Sequence, residues 1–375
     1  MKRLVDAATG CDHVVISLYR TALPWRTHFA ECPAPAGQRL YSYRHFGLPF
    51  GVGLQRSFAI VARRVARLLE REGLEPDVVH AHRTTFDGLA GDAIARQYGI
   101  AHLVSVRGEV ESKVLRFKPT YRPLVRDIVV RAARVYYVSA WFRPSIETLV
   151  GGPLPNARLL PNLVDNVSAR IEPRPARPLF VAAANLDIYR KKGIDRLIRA
   201  FARAAPRLPG IGLDIYGDGA RSAIATLQRL IDRLGLHDRV TLEGPLPHRD
   251  LLAALPHYLA MALPGRNETF GMVYVEALFA GIPVLHGRDT GIDGYLDGFD
   301  FGRGVDPDDI DAIAAALLDL AERNVALRSA IAAAAPELQR RFDPAHHVAL
   351  YEADIAALAA ERERAVLVHL SEAAE

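Results

Sequence analysis

Glu268 and Glu276 bracket the seven residues Thr269-Phe270-Gly271-Met272-Val273-Tyr274-Val275, and the segment continues through Ala277-Leu278-Phe279-Ala280-Gly281-Ile282-Pro283-Val284. From Phe270 to Ala280 the only charged side chain is Glu276, and a helix that is apolar all round is a buried one. A carboxylate inside such a helix needs a hydrogen-bonding partner, because burying it alone costs several kcal/mol. The helix should start near Gly271, where unpaired backbone N–H groups and the positive end of the dipole meet any anion. Glu268 stands just outside that end. A ligand with phosphates set between two hydroxyl-rich groups would satisfy all three features. The plainer reading, a solvated Glu276 and a capping Glu268, sits badly with the apolar surroundings and the Gly271 and Gly281 boundaries.

A second group follows the strand-like Leu179 to Ala184: Asn185-Leu186-Asp187-Ile188-Tyr189-Arg190-Lys191-Lys192-Gly193. Three successive cations at a strand's carboxyl end are opposite in sign to a diphosphate and could neutralise charge on a departing phosphate. By itself the stretch also reads as an exposed basic turn. Tyr216-Gly217-Asp218-Gly219 ends another strand and permits close backbone approach. It lacks the third glycine of a dinucleotide fingerprint, which argues against an oxidoreductase. In the first half, Pro76-Asp77-Val78-Val79-His80-Ala81-His82 and Val104-Ser105-Val106-Arg107-Gly108-Glu109 also lie at strand ends. They make His82, Arg107 and Glu109 candidates for gripping a sugar or acceptor.

These groups must be held by an α/β scaffold, because short apolar runs alternate with longer helical patterns almost throughout. Expected strands are His13 to Leu18, Asp77 to Ala81, His102 to Val106 and Val135 to Ser139, then Leu179 to Ala184, Gly212 to Tyr216, Arg239 to Glu243, Leu259 to Leu263 and Ile282 to Leu285. Expected helices include Val52 to Glu72, Phe86 to Tyr98 and Pro123 to Ala133, with Asp311 to Glu322, Ala326 to Arg341 and His346 to Ala360 closing the chain. At 375 residues two domains are the default. The three prolines of Glu172-Pro173-Arg174-Pro175-Ala176-Arg177-Pro178 read as the linker, giving a domain at 1–172, a second at 173–342 and a C-terminal helix, 343–375, returning to the first. Ligands in such sheets bind beyond the carboxyl ends of the strands, in a cleft between the two halves.

Composition narrows the classes. The two cysteines, Cys11 and Cys32, make no disulfide framework, and no histidine pair has metal-ligand spacing. No apolar run reaches the roughly 18 residues of a spanning helix, and Met1-Lys2-Arg3-Leu4-Val5-Asp6 lacks a secretory h-region. A cytoplasmic, metal-free protein without a cofactor fits. Residues 1–172 hold 24 Lys+Arg against 15 Asp+Glu, whereas the remainder holds 23 against 28. The basic first half, notably Arg56 to Arg71 and Lys113 to Arg134, suits an anionic membrane surface or an acidic lipid-linked acceptor as well as it suits plain solvated helix faces.

Taken together, P-D-V-V-H-A-H, Ser139, Leu160-Pro161-Asn162-Leu163-Val164-Asp165, K-K-G, Y-G-D-G, E-x7-E and A-G-I-P-V resemble the retaining family 4 glycosyltransferases over nearly the whole chain. The resemblance implies the GT-B architecture of two facing Rossmann-like domains, each with a parallel sheet. It implies that Glu268 contacts the donor sugar, Glu276 the nucleotide ribose, and Lys192 the leaving diphosphate, with the Gly271, Met272 and Val273 amides holding that diphosphate. Three departures stand out. Asn185 occupies the place of a usual arginine, whose charge Arg190 or Lys191 would supply. R-G-E-V replaces H-G-x-D, putting Arg107 where a histidine is usual. The opening strand and glycine turn are absent: the chain starts on what reads as the following helix, so either an earlier start or a first domain short of one strand is implied. The implied partners are a nucleotide sugar and a glycan or polyprenyl-linked acceptor, with an anionic membrane surface and no nucleic acid. The setting is cell-surface polysaccharide assembly on the inner face of the membrane. A nucleotide-sugar epimerase or phosphorylase of the same architecture, or a module that binds nucleotide without turnover, are the competing classes.

Overall fold

The structure, a computed structural model, describes residues 2–35, 37–48, 52–165, 167–168 and 170–372, with 364–372 as backbone only. It divides into two compact units. Unit 1 comprises Met1–Val138, Arg143–Asn162 and Ala345–Glu375; unit 2 comprises Ser139–Phe142 and Leu163–Pro344.

Unit 1 opens with α1 (Lys2–Ala7), β1 (His13–Thr21), β2 (His28–Cys32), β3 (Gln38–Phe46) and α2 (Leu54–Arg71). There follow β4 (Val78–Ala81), α3 (Phe86–Tyr98), β5 (Ala101–Val106), α4 (Glu109–Phe117), α5 (Arg122–Arg131), β6 (Arg134–Tyr137), α6 (Arg143–Val150) and β7 (Ala157–Leu159). Its strands form two sheets. One has the order β1-β3-β2, the other β4-β5-β6-β7. The second sheet is parallel throughout. The first is mixed, since β3 runs parallel to β1 and antiparallel to β2. The parallel sheet expected of the first half is β4-β5-β6-β7, and the mixed sheet β1-β3-β2 is an addition to it. The physical cause is the short reversal through Pro33 and Pro35, where the Gln38 N–H donates to the Pro35 carbonyl at 3.1 Å. Tyr41, Tyr43 and His45 alternate inward along β3, and Tyr43 packs with Phe58, Val61, Ala62 and Val65 of α2. The run Lys113 to Arg134 is broken into α4, a 3-10 turn and α5, with Pro119 and Pro123 each opening an element.

Unit 2 carries β8 (Leu179–Ala183), α7 (Tyr189–Lys192), α8 (Ile194–Ala204), β9 (Gly212–Tyr216), α9 (Arg221–Arg233), β10 (Val240–Gly244) and α10 (His248–Ala254). It continues with β11 (Met261–Leu263), α11 (Met272–Phe279), β12 (Val284–Gly287), β13 (Gly302–Val305), α12 (Ile310–Glu322) and α13 (Asn324–Phe342). The last helix, α14 (Pro344–Glu372), falls almost wholly to unit 1. The six strands form one parallel sheet in the order β10-β9-β8-β11-β12-β13. All residues of β11 and β12 are buried, as expected of strands covered by helices on both faces. In α8, Ile194, Leu197, Ile198, Phe201 and Ala204 are buried at helical spacing, so one face of that helix is committed to the core.

The division between units falls after Asn162, not at 172. Leu163, Val164 and Ile171 are buried, and a Cβ on Gly281 would come within 3.0 Å of Ile171 Cγ2, so the chain is already packed onto unit 2 before the prolines begin. The proline-rich run lies on that unit, and the Arg177 N–H donates to the His257 carbonyl at 2.7 Å.

Candidate functional site

The strands of unit 2 read 3-2-1-4-5-6 in their own sequence order, so the winding reverses between β8 and β11. Loops leaving the carboxyl ends of two such strands splay apart and leave a crevice, the usual ligand position in an open α/β sheet. Lys192 follows β8 and Glu268 follows β11. Their side chains meet there, Lys192 Nζ donating to Glu268 Oε2, each about one-fifth exposed.

Both loops are tightly held. The Arg266 N–H donates to the Lys191 carbonyl at 2.8 Å. Gly193 has φ +76°, and a Cβ there would lie 2.2 Å from the Pro264 carbonyl oxygen, so only glycine lets the two loops approach. Glu268 is pinned through its backbone: its N–H donates to Thr290 Oγ1, and its carbonyl accepts from the Gly291 N–H at 2.9 Å. Two residues on, Phe270 is fully buried edge-on to Tyr295, with ring centroids 5.3 Å apart. The backbone of Glu268 is thus fixed, and its side chain is held by Lys192.

Gly271, at φ +77°, turns the chain into α11, and a Cβ at that position would run into the Tyr274 ring at 2.4 Å. Tyr274 is buried and donates its hydroxyl to the Leu263 carbonyl at 2.6 Å, which ties α11 back to the end of β11. Burial, with the Glu268 charge adding to it, holds the Tyr274 phenol well above its ordinary range, so it stays a neutral donor. Met272, exposed, and Val273, half-buried, occupy the first turn, where a helix leaves its backbone N–H groups without intrahelical partners. Glu276 is buried at 6 % exposure. Its partner is His248, whose Nε2–H donates to Oε1 at 3.0 Å from the first position of α10. Sequence reasoning required such a partner but could not name it, since the pair is separated by 28 positions and no periodicity links α10 to α11.

The other basic-turn residues behave differently from Lys192. Asn185 caps the turn that follows β8, its Oδ1 accepting from the Asp187 N–H at 2.8 Å. Arg190 is exposed and folds onto its neighbour, donating from Nε to the Tyr189 hydroxyl at 3.1 Å with its guanidinium 5.6 Å from that ring's centre. Lys191 is half-buried in the same short helix. Gly217 serves a protein contact: at φ +157° a Cβ would sit 1.9 Å from the Ala184 carbonyl oxygen, so the loops after β8 and β9 close on each other there.

His82, Arg107 and Glu109 belong to unit 1, at the ends of the neighbouring strands β4 and β5. The His82 ring lies on His80, centroids 4.1 Å apart, and burial followed by the His80 charge holds its pKa well below the ordinary value. His80 is fixed from both sides, by Ser105 Oγ at 2.8 Å and the Tyr351 hydroxyl at 3.0 Å, and burial pushes it down to about 3. Burial also lowers the Arg107 pKa, with Glu111 acting in the opposite direction. Glu111 is fully buried and accepts from the Thr84 N–H and hydroxyl, each at 3.2 Å, which joins the loop after β4 to the start of α4. Sequence reasoning passed over Glu111, because a glutamate in the first turn of a helix is usually a solvated one. Among the described residues no cluster of three or more His, Cys, Asp or Glu is placed to hold a metal ion, and no helix is long and apolar enough to cross a membrane.

A family model of glycosyltransferase family 4 matches residues 7–166, and one of glycosyl transferases group 1 matches residues 168–338. A GDP-mannose-dependent alpha-(1-6)-phosphatidylinositol monomannoside mannosyltransferase of Mycolicibacterium smegmatis is 32 % identical over 288 residues, 69 % of this chain and 70 % of the relative. The chain belongs to glycosyltransferase family 4. A glycogen synthase of Mycobacterium tuberculosis is 26 % identical over 362 residues, 90 % of this chain and 84 % of the relative. Among solved structures, sucrose-phosphate synthase of Thermosynechococcus elongatus superposes with a TM-score of 0.69 at 20 % identity, covering 95 % of this chain and 92 % of its own. Anabaena HepE in complex with UDP gives 0.64 at 18 %, covering 84 % and 86 %. The fold of this family 4 glycosyltransferase is therefore GT-B, an α/β protein with parallel sheets in two domains. It is a nucleotide-sugar transferase.

Proposed function

We propose that this glycosyltransferase moves a sugar from a nucleoside diphosphate donor to a glycan or polyprenyl-linked acceptor with retention at the anomeric carbon, without a metal ion, in cell-surface polysaccharide assembly. The observation that carries the reading is the Lys192–Glu268 pair at the reversal of strand order, directly before the exposed start of α11. Lys192 and the Gly271, Met272 and Val273 amides receive the diphosphate and stabilise the charge that grows on it as the bond from C1 to the phosphate oxygen breaks. Lys191, Arg190 and the free amide of Asn185 add to that positive end. Glu268 swings from Lys192 to a sugar hydroxyl. Glu276, set by His248, accepts from the ribose. The acceptor oxygen bonds C1 from the face the diphosphate leaves, and its proton passes to a departing phosphate oxygen. His82, Arg107 and Glu109 contact the acceptor or the sugar.

The test is a thermal-shift screen against UDP-, GDP- and ADP-sugars, followed by product analysis with each donor that binds. GDP-mannose is the first donor to try, given the name of the mannosyltransferase relative. A product whose anomeric coupling matches the donor's supports retention, and an inverted product removes it. A glycosyl adduct found by mass spectrometry would overturn the front-side step. Loss of turnover in EDTA would overturn metal independence, and binding without turnover would return the protein to the binding-module class. Arg63, Arg64 and Arg67 are exposed on α2. Their joint replacement by glutamine should weaken binding to anionic liposomes if the enzyme works at a membrane face, and unchanged binding removes that setting.

A further inference from the structure

Among the described residues, two other than glycine have positive φ: Asn267 at +50° and Asp289 at +53°. Asparagine and aspartate enter this region more readily than other side chains, yet the backbone stays strained there and the conformation persists only where surrounding contacts impose it. The two lie in the loops after β11 and β12, and each directly precedes one member of a hydrogen-bonded pair, Glu268 and Thr290. Thr290 is buried at 3 % exposure. Its Oγ1 accepts from the Glu268 N–H at 2.5 Å and donates to the Glu268 carbonyl at 3.2 Å, so one hydroxyl answers both backbone groups of that residue. The rotamer that aims the hydroxyl is set from the other side. A Cβ on Gly287 would lie 2.8 Å from Thr290 Cγ2, so the methyl packs against the bare glycine that ends β12. Asp293 closes the turn between them: its Oδ2 accepts from the Asp289 N–H at 2.7 Å, and its own N–H donates to the Thr290 carbonyl at 3.2 Å. The stem of Glu268 runs between two further glycines, since a Cβ on Gly271 or on Gly291 would stand 3.5 Å from Glu268 Cγ.

We propose that Thr290 is a positioning residue for the transfer reaction: through the main chain of Glu268 it fixes where that carboxylate stands relative to Lys192 and the donor sugar. Positive φ at Asn267 and Asp289 turns the two loops so that the pair can form. Thr290 touches no substrate itself and acts only through Glu268, so the inference rests on the sugar contact assigned to Glu268 above. A bond that merely joined the two loops would support stability and leave the chemistry alone. A misplacement of the reacting groups by an ångström, in contrast, slows the chemical step while the nucleotide still binds.

Thr290→Val keeps the shape and removes the hydroxyl, Thr290→Ser keeps the hydroxyl, and Glu268→Ala removes the carboxylate being placed. These three and the double variant Thr290→Val with Glu268→Ala are compared in the full chain. Turnover is read as GDP released from saturating GDP-mannose, or as UDP or ADP where the donor screen selects another nucleotide sugar, and binding of the same nucleotide is read by calorimetry. Thr290→Val should lower kcat about tenfold or more while the nucleotide binds within about twofold of the unaltered protein, which also shows that the variant is folded. Thr290→Ser should recover most of that loss. In the Glu268→Ala background, Thr290→Val should lower the melting temperature as it does alone yet change kcat by less than about twofold, because no carboxylate remains to be misplaced. Unaltered kcat in Thr290→Val, nucleotide affinity lost in step with kcat, a loss that Thr290→Ser shares in full, or a further drop of about tenfold in the double variant overturns the proposal. A slow Glu268→Ala beside a normal Thr290→Val sinks this inference alone, whereas normal turnover in Glu268→Ala sinks the sugar contact assigned to Glu268 and this inference with it.

Discussion

Lys192 and Glu268, 76 positions apart, form an ion pair where the winding of the second sheet reverses. The pair is shielded enough to be ordered and exposed enough to be exchanged for a ligand, each side chain keeping about a fifth of its surface in water. If Lys192 acts as proposed, its replacement by alanine should lower kcat about 100-fold or more with little change in donor KM, because the charge it would oppose develops as the phosphate leaves. Steady-state kinetics with saturating donor checks this, and an equal loss in KM alone would show a purely binding role.

His248→Ala should strand the Glu276 carboxylate in a buried site. The expected cost is about 1–3 kcal/mol of stability, together with a loss of nucleotide affinity. Urea unfolding and nucleotide titration measure the two effects. Glu276→Gln keeps the shape and should cost less stability while still weakening the nucleotide about tenfold, a pattern that a purely structural His248–Glu276 bond would not give.

Gly193→Ala and Gly235→Ala separate two causes of glycine selection. Both residues have positive φ, which alone costs an alanine about 1–2 kcal/mol. Nothing lies within 4 Å of a Cβ at Gly235, whereas at Gly193 it would meet the Pro264 oxygen at 2.2 Å. Thermal unfolding should show a clearly larger loss for Gly193→Ala. Activity should fall for that variant alone, because its displaced loop carries Lys192.

Two histidines of unit 1, the buried His102 and the half-buried His80, should make its stability depend on pH. Burial lowers His80 to about 3 and His102 to about 4. Below an unfolded pKa near 6.5 the unfolded chain takes up these protons and the folded one does not, so stability falls as pH drops from about 6.5 toward 4. Each should account for a loss on the order of 1–2 kcal/mol by pH 5. Denaturant midpoints at pH 7 and pH 5 test this, and His102→Asn should remove about half of the difference without changing nucleotide binding.

What the residues declared by their order was the set of elements buried on one face or on all faces: α3 and β9 coincide with their expected spans, the other expected helices and strands fall within a few residues of theirs, and only the last helix, expected to stop at Ala360, runs on to Glu372. Local chemistry also required a partner for Glu276 and placed the helix start near Gly271. Strands β2, β3, β7 and β13 were missed, although the inward alternation of Tyr41, Tyr43 and His45 was there to be read. Which residue answers Glu276, that Lys192 meets Glu268 and that Glu111 is buried were settled only by tertiary packing. Sequence periodicity encodes which face of an element turns inward, whereas distances between side chains on separate elements depend on sheet order and loop closure, which no local pattern records.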